Sequence, residues 1–87
     1  MISGIYKIEN KINHHLYIGK AKDIKHRWSE HKSAVNINNL NYPLYNAFRK
    51  YGIDNFDFSI IEEMPLSDYF ENGSEREKYW INFYNAF

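Results

Sequence analysis

Apolar and aromatic residues alternate with polar ones in three short runs, and this pattern predicts β-strands. The runs are residues 4–8 (GIYKI), residues 16–19 (LYIG) and residues 55–61 (NFDFSII). Asn10 and Asn13 favour a turn between the first two runs, because asparagine tolerates turn conformations. The chain is therefore predicted to open with a β-hairpin and to add a third strand much later.

The predicted hairpin places two tyrosines on one face. A turn centred on residues 11–12 puts Tyr6 opposite Tyr17 and Ile5 opposite Ile18. Side chains alternate across a strand, so both phenols emerge on the same side, beside glycines that let another backbone approach closely. The pair is either the floor of an active site or ordinary half-buried core.

Longer periodic segments predict three helices. They cover about residues 23–36, about residues 42–51, and the chain from about residue 74 onward. Asp23 is a suitable N-cap for the first helix, and Gly52 ends the second. The Asn72-Gly73 step separates the last helix from a short helical turn predicted over residues 66–71.

Helical periodicity directs three charged or titratable side chains inward. Arg27 and His31 lie four residues apart on the apolar half of the first helix, and Glu77 lies on the apolar side of the last helix. Glu75 points almost the opposite way. An inward arginine and histidine are either site residues or a snorkelling cation beside a satisfied core histidine. Glu77 is either a site residue or the partner of Ser74 in a capping box.

The composition describes one small domain with no disulfide and no thiolate metal site. The chain has 87 residues, of which 18% are aromatic and none is cysteine. No apolar run is long enough to cross a membrane, and no signal-peptide pattern is present. The formal net charge is zero, yet residues 1–52 carry +6 and residues 53–87 carry −6. This asymmetry allows one basic face toward phosphates.

These motifs follow one another in an order that spans the whole chain. They are Gly4-Ile5-Tyr6, Tyr17-Ile18-Gly19, Arg27 and His31 on one helix, and Glu77 shortly before Trp80-Ile81. In this order they resemble the GIY-YIG endonuclease family, and most closely its phage and intron-encoded homing endonucleases. The resemblance implies an α/β (α+β) fold in which helices flank a small three-stranded antiparallel sheet.

The resemblance also implies an activity and a set of roles. The reaction would be hydrolysis of a double-stranded DNA phosphodiester to a 5′-phosphate and a 3′-hydroxyl, with one Mg²⁺ or Mn²⁺ ion per site. Tyr6 would activate the attacking water, and Tyr17 would position water or phosphate. Arg27 would hold the scissile phosphate, and His31 would take or relay a proton or orient Tyr6. Glu77 would bind the metal ion.

Elementary chemistry agrees with these roles. A free phenol has a pKa near 10 and is a poor base at neutral pH, but a nearby cation favours the phenolate. Arginine contacts phosphate in a bidentate manner that lysine does not reproduce. One carboxylate completed by phosphate oxygens and waters is a normal Mg²⁺ environment. Lys20, Lys22 and Lys50 join Arg27 as candidates for DNA phosphate contacts.

The sequence departs from the family pattern in two places. Family members usually carry an asparagine beyond the last helix, and Asn85 stands too early for it. A second histidine or tyrosine often follows the helix with the arginine and histidine, and here Asn39 or Tyr42 is the candidate. We therefore expect residues 1–87 to be a truncated catalytic domain from which the DNA-targeting region is absent.

Two other functions compete with the nuclease. A nucleic-acid-binding module without catalysis would use the basic first half and the aromatic surface. A histidine-rich metal protein would use His14, His15, His26 and His31, although their spacing is poor and no cysteine assists. For the nuclease we expect a monomer that makes no membrane contact, in the cytoplasm of a bacterial or phage-infected cell.

Overall fold

A computed structural model describes residues 1–34 and 43–85 of the chain. Three strands and three helices follow one another, with one 3-10 turn before the last strand. They are β1 (Gly4–Asn10), β2 (Leu16–Ala21), α1 (Ile24–Ala34), α2 (Pro43–Tyr51), the 3-10 turn (Ile53–Asn55), β3 (Phe56–Glu63) and α3 (Leu66–Tyr84). The strands form one antiparallel sheet in the order β2-β1-β3, so the predicted fold class is confirmed. No helix in the described part of the chain is long and apolar enough to span a membrane.

The register of the opening hairpin differs by two residues from the prediction. Tyr6 pairs with Gly19, and Tyr17 pairs with Ile8, so the two tyrosines are diagonal neighbours rather than direct partners. The last pair is Glu9 with Leu16, so the connection centres on residues 12–13 rather than on residues 11–12. A shift of two residues keeps each side chain on its face, and both tyrosines therefore still share one side of the sheet.

The two faces of the sheet carry different helices. On one face, Tyr6 and Ile8 join Phe48 of α2 and Phe56 of β3 in the buried core, and Ile24 of α1 packs with them. Apolar burial of this kind supplies most of the stability of a small domain. The opposite face meets α3 and is more polar. There Lys7 lies over Tyr84, Lys20 lies over Tyr69, and Glu62 contacts Arg76 and Trp80.

The ends of α1 and α2 follow local chemistry. Asp23 caps α1, because its Oδ1 accepts a hydrogen bond from the amide of His26 at 3.3 Å. Pro43 is the first residue of α2, and Gly52 follows its end with a φ of 86°, in the region that favours glycine. The predicted end of α1 near residue 36 and the start of α2 at Tyr42 lie outside the described residues.

The predicted break before the last helix is wrong. Residues 66–84 form one continuous helix, and Nδ2 of Asn72 donates to Oδ1 of Asp68 within it, at 2.6 Å. Gly73 is buried in the helix, where an added Cβ would lie 3.2 Å from the Tyr69 ring and 3.7 Å from the Lys20 side chain. The helix therefore continues through Gly73 despite the helix cost of glycine, about 1 kcal/mol. Ser74 is an interior residue, so the capping-box interpretation of Glu77 is wrong too.

Glu62 links β3 to α3 just beside Glu77. Its Oε1 accepts hydrogen bonds from Nε of Arg76 and Nε1 of Trp80, both at 2.9 Å. Arg76 and Trp80 flank Glu77 along the helix. The two hydrogen bonds to Glu62 therefore limit rotation of α3 about its own axis. The carboxylate of Glu62 therefore helps to place Glu77.

Replacing Glu62 by glutamine should lower the free energy of unfolding by about 1–2 kcal/mol. The charge that strengthens both hydrogen bonds is removed, and partial exposure of the ion pair limits the loss. Urea denaturation measures the change. Glu63→Gln is the matched control, because Glu63 is the next residue and is exposed. Equal losses in the two variants would show that the link to α3 contributes nothing.

Candidate active site

Tyr6 is the centre of the site that the sequence predicts. Its side chain is almost fully buried, with 5% of the residue exposed. The ring packs edge-on against Trp28 and lies over Gly19, where an added Cβ would be 2.5 Å from both Cζ and Oη. A larger residue at this position would overlap the Tyr6 ring, so glycine is needed for the observed position of the phenol. The hydroxyl lies over Gly19 in β2, the edge strand, because glycine has no side chain to block it.

His31 lies between two tyrosine hydroxyls. Its Nε2 is 3.0 Å from Oη of Tyr6, and its Nδ1 is 3.0 Å from Oη of Tyr45. The residue is buried, with 7% exposed. Burial, and next the charge of Arg27, lower the pKa of His31 below its ordinary value of 6.5, while Glu30 raises it. The ring is therefore neutral near pH 7 and can accept a proton.

Arg27 and Glu77 both act on the hydroxyl of Tyr6. Burial raises the pKa of Tyr6 above its ordinary value of 10.0. The guanidinium of Arg27 opposes this through hydrogen bonding and charge, whereas the charge of Glu77 raises the pKa further. Arg27 comes from α1 and Glu77 from α3, on opposite faces of the sheet. His31 therefore contacts the Tyr6 hydroxyl directly, whereas Arg27 and Glu77 influence its pKa.

Tyr17, the fifth predicted residue, is partly buried against the hydrophobic core that includes Tyr6. Burial raises the pKa of Tyr17 above its ordinary value of 10.0, and the charge of Tyr51 raises it further. The two predicted phenols are therefore diagonal neighbours on one face of the sheet and not a facing pair.

Glu77 has the features of a ligand for a hard cation. The residue is partly exposed, and the side-chain hydrogen bonds and ion pairs within residues 1–34 and 43–85 do not involve its carboxylate. The same part of the chain holds no group of three His, Asp or Glu side chains that could enclose a metal ion. A Mg²⁺ ion fits this arrangement, because it commonly uses one or two carboxylates and fills its other positions with water and phosphate oxygens.

Three of the four predicted phosphate contacts line one open groove beside the site. The groove is about 350 Å³ in volume and runs between α1 and α3 along the end of β2. Lys20, Lys22 and Arg27 contribute its positive charge, and the guanidinium of Arg27 is half exposed. Lys50, the fourth, does not line this groove and lies over the ring of Tyr51. Asp23 and Glu30 also line the groove, so its charge is mixed, although three of the four predicted phosphate contacts meet there.

Sequence reasoning missed Tyr45 as a residue of the site. Tyr45 stands on the apolar side of α2, and that position predicts packing alone. Its hydroxyl could have indicated a polar neighbour, because a tyrosine packed against a core usually needs a hydrogen-bond partner. Asn39 and Tyr42, the candidates for an additional site residue, lie outside the described residues. Asn85 ends α3 in a left-handed conformation and is exposed.

Acidification should reveal the lowered pKa of His31 as a loss of stability. The unfolded chain protonates at a higher pH than the folded chain, so the contribution of His31 is complete above pH 6.5 and is lost as pH falls through the lowered pKa. We expect the free energy of unfolding to fall between about pH 7.5 and about pH 5.5, and to fall less in His31→Asn.

Urea denaturation at both pH values measures this difference. His26→Asn is the matched control, since His26 lies on the same helix and is exposed beside Glu30. If His31→Asn keeps the whole pH dependence of the unmodified protein, the loss of stability comes from other groups.

Comparison with known proteins identifies the domain. A family model described as the GIY-YIG catalytic domain matches residues 2–87. The chain belongs to the GIY-YIG family. Within the family, it is 38% identical over 87 residues to intron-associated endonuclease 1 of Enterobacteria phage T4, covering 99% of this chain and 34% of the relative. It is 44% identical over 59 residues to a probable intron-encoded endonuclease 1 of Neurospora crassa, covering 68% of this chain and 18% of the relative.

Solved GIY-YIG structures support the same assignment. The catalytic domain of the homing endonuclease I-TevI has a TM-score of 0.81 and 36% identity, covering 95% of this chain and 88% of that one. A mutant of that domain has a TM-score of 0.85 and 36% identity, covering 98% of this chain and 86% of that one. This GIY-YIG chain therefore corresponds to most of those catalytic domains but to only about a third of the full phage T4 relative.

Proposed function

We propose that this chain is the catalytic domain of a DNA endonuclease that hydrolyses a phosphodiester of double-stranded DNA with one divalent cation. Two relatives are endonucleases by name, and a catalytic-domain model of the GIY-YIG family matches nearly the whole chain. One observation carries the proposal. Oη of Tyr6 lies 3.0 Å from Nε2 of a neutral histidine, His31, while Arg27 and Glu77 act on the same phenol.

The proposed reaction begins with a proton transfer from Tyr6 to His31. The O–H bond of the phenol breaks, Nε2 gains the proton, and the imidazole becomes an imidazolium. The phenolate then removes a proton from the water that attacks phosphorus. The 3′-oxygen leaves and takes a proton from solvent, and the imidazolium of His31 returns its proton to solvent. The products then carry a 5′-phosphate and a 3′-hydroxyl, and Tyr6 and His31 are again neutral.

Arg27 supports two parts of this reaction. Its charge opposes the burial that holds Tyr6 in the neutral form, and so it favours the phenolate. Its half-exposed guanidinium can also bind the scissile phosphate and stabilise the charge that develops there. A divalent cation, Mg²⁺ or Mn²⁺, held by Glu77 would supply further charge stabilisation at the phosphate.

The groove beside the site provides a surface for the DNA backbone. Lys20 and Lys22 line it together with Arg27, so DNA phosphates in the groove would approach the half-exposed guanidinium. The zero net charge predicts weak binding by this domain alone, because affinity for DNA depends on the number of phosphates neutralised. We therefore propose that recognition of a DNA target rests on residues outside this domain.

Plasmid nicking tests the proposed function directly. Supercoiled DNA is incubated with the protein and Mg²⁺, with Mn²⁺, or with a chelator, and we expect nicked circles only when a divalent ion is present. A DNA ligase that requires a 5′-phosphate and a 3′-hydroxyl should reseal the nicks. Salt-dependent DNA binding without cleavage under any divalent ion would instead favour the non-catalytic binding module.

A further inference from the structure

The hydroxyl of Tyr45 has no part in the reaction proposed above, yet it lies against the residue that takes the proton. Tyr45 stands on α2, and its Oη is 3.0 Å from Nδ1 of His31. The opposite ring nitrogen, Nε2, faces Tyr6 at the same distance. The three side chains therefore form a continuous line of hydrogen bonds from α2 through α1 to β1.

We propose that Tyr45 is a positioning residue whose hydroxyl oxygen accepts the Nδ1 proton of His31 and thereby keeps Nε2 free to accept the proton of Tyr6. This inference rests on the proposed nuclease function, since it concerns the same proton transfer. Tyr45 itself would touch neither DNA nor the metal ion.

The direction of the hydrogen bonds follows from the single proton of the Tyr6 hydroxyl. That hydroxyl is buried, and its hydrogen-bond partner within the described residues is Nε2 of His31, 3.0 Å away. Because a buried O–H group needs an acceptor, Nε2 accepts this proton. A neutral imidazole carries one proton, and with Nε2 accepting, that proton is on Nδ1. Oη of Tyr45 is then its acceptor.

Burial makes the oxygen of Tyr45 necessary for this tautomer. With 7% of His31 exposed, water has little access to Nδ1. Without Tyr45, a proton on Nδ1 would be a buried donor without a partner, which disfavours that tautomer by about tenfold. The ring would then carry its proton on Nε2 and donate to Tyr6, and it could not receive the phenolic proton.

Tyr45→Phe tests the proposal, because it keeps the ring and removes only the hydroxyl. Long-range ¹H–¹⁵N spectra of the histidine-labelled protein report which ring nitrogen of His31 carries the proton. We expect Nδ1–H in the unmodified protein and Nε2–H in Tyr45→Phe. Tyr79→Phe is the matched control, since Tyr79 is exposed on α3, and it should leave the His31 signals unchanged.

Kinetics provide the second measurement. In Tyr45→Phe we expect kcat for plasmid nicking to fall about tenfold while KM stays the same, because the tautomer affects the proton transfer and not DNA binding. A proton on Nε2 in the unmodified protein, or on Nδ1 in Tyr45→Phe, would overturn the proposal. A protein that cleaves no DNA would instead refute the nuclease function, and the spectra would still decide the role of Tyr45.

Discussion

Replacing Glu77 by glutamine should reduce plasmid nicking in Mg²⁺ by about a thousandfold and leave the fold intact. The substitution keeps the size of the side chain but removes the negative charge that a divalent cation requires. Stability should change little, since no described residue forms an ion pair or a side-chain hydrogen bond with this carboxylate. Loss of one preorganised electrostatic group at a phosphoryl or acyl centre typically costs a factor of about 10²–10³.

The neighbouring acid provides the control for this variant. Glu75 lies two residues earlier on α3 and is exposed, so Glu75→Gln should nick plasmid DNA at the rate of the unmodified protein. Single-turnover rates in Mg²⁺ and Mn²⁺, with thermal unfolding of each variant, complete the experiment. Equal rates for Glu77→Gln and the unmodified protein would remove Glu77 from the proposed site.

Replacing Gly19 by alanine should damage the site through Tyr6. The added Cβ would lie 2.5 Å from Cζ and Oη of Tyr6, so the phenol has to move. A displacement of about 1 Å at a reacting group can cost a factor of about a hundred in rate, and overpacking costs about 1–3 kcal/mol in stability. We expect both losses, measured by plasmid nicking and by urea denaturation.

Gly73→Ala separates this effect from the general cost of a larger residue. Gly73 is buried beside a tyrosine ring as well, but the nearest ring atom would be 3.2 Å from the new Cβ. The better helix propensity of alanine offsets that tight contact, so stability should change by less than about 1 kcal/mol. If Gly19→Ala nicks DNA as fast as Gly73→Ala, the position of the Tyr6 ring does not control the reaction.

The Gly19 contact also explains why the second triplet ends in glycine. The observed register places Gly19 directly opposite Tyr6, so the absent side chain leaves room for the phenol to lie across the edge strand. Gly4 has a different reason. Its φ is 147°, and an added Cβ would collide with the backbone carbonyl of Glu62. Gly19 therefore leaves room for the Tyr6 ring, whereas Gly4 allows β1 and β3 to approach closely.

The continuous α3 helix shows where local signals mislead. Asn72-Gly73 is a strong turn signal by itself, and Ser74 with Glu77 matches a capping box. The helix continues through Gly73, which is buried beside Tyr69 and the Lys20 side chain, and Asn72 hydrogen-bonds along the helix to Asp68. The Lys20 contact is not visible in a window of a few residues, since β2 lies more than fifty residues earlier in the chain.

The periodicity of single elements predicted the direction of several candidate site side chains. Period-two alternation directed Tyr6 and Tyr17 to one face of the sheet, and helical periodicity directed His31 and Glu77 inward from their helices. The direction of a side chain is a property of a single strand or helix. A few neighbouring residues of a strand, or one turn of a helix, are therefore enough to predict it. The antiparallel sheet and its flanking helices could be predicted on the same basis.

The way in which these elements meet depends on tertiary packing. The length of the hairpin loop set the register that separates Tyr17 from Tyr6, and the packing of α2 beside α1 brought Tyr45 to His31. Distances between elements depend on loop geometry and on the fit of whole surfaces, and the periodicity of one element carries no information about them. The residue types of this domain therefore indicate its chemistry, whereas tertiary packing determines which side chains contact one another.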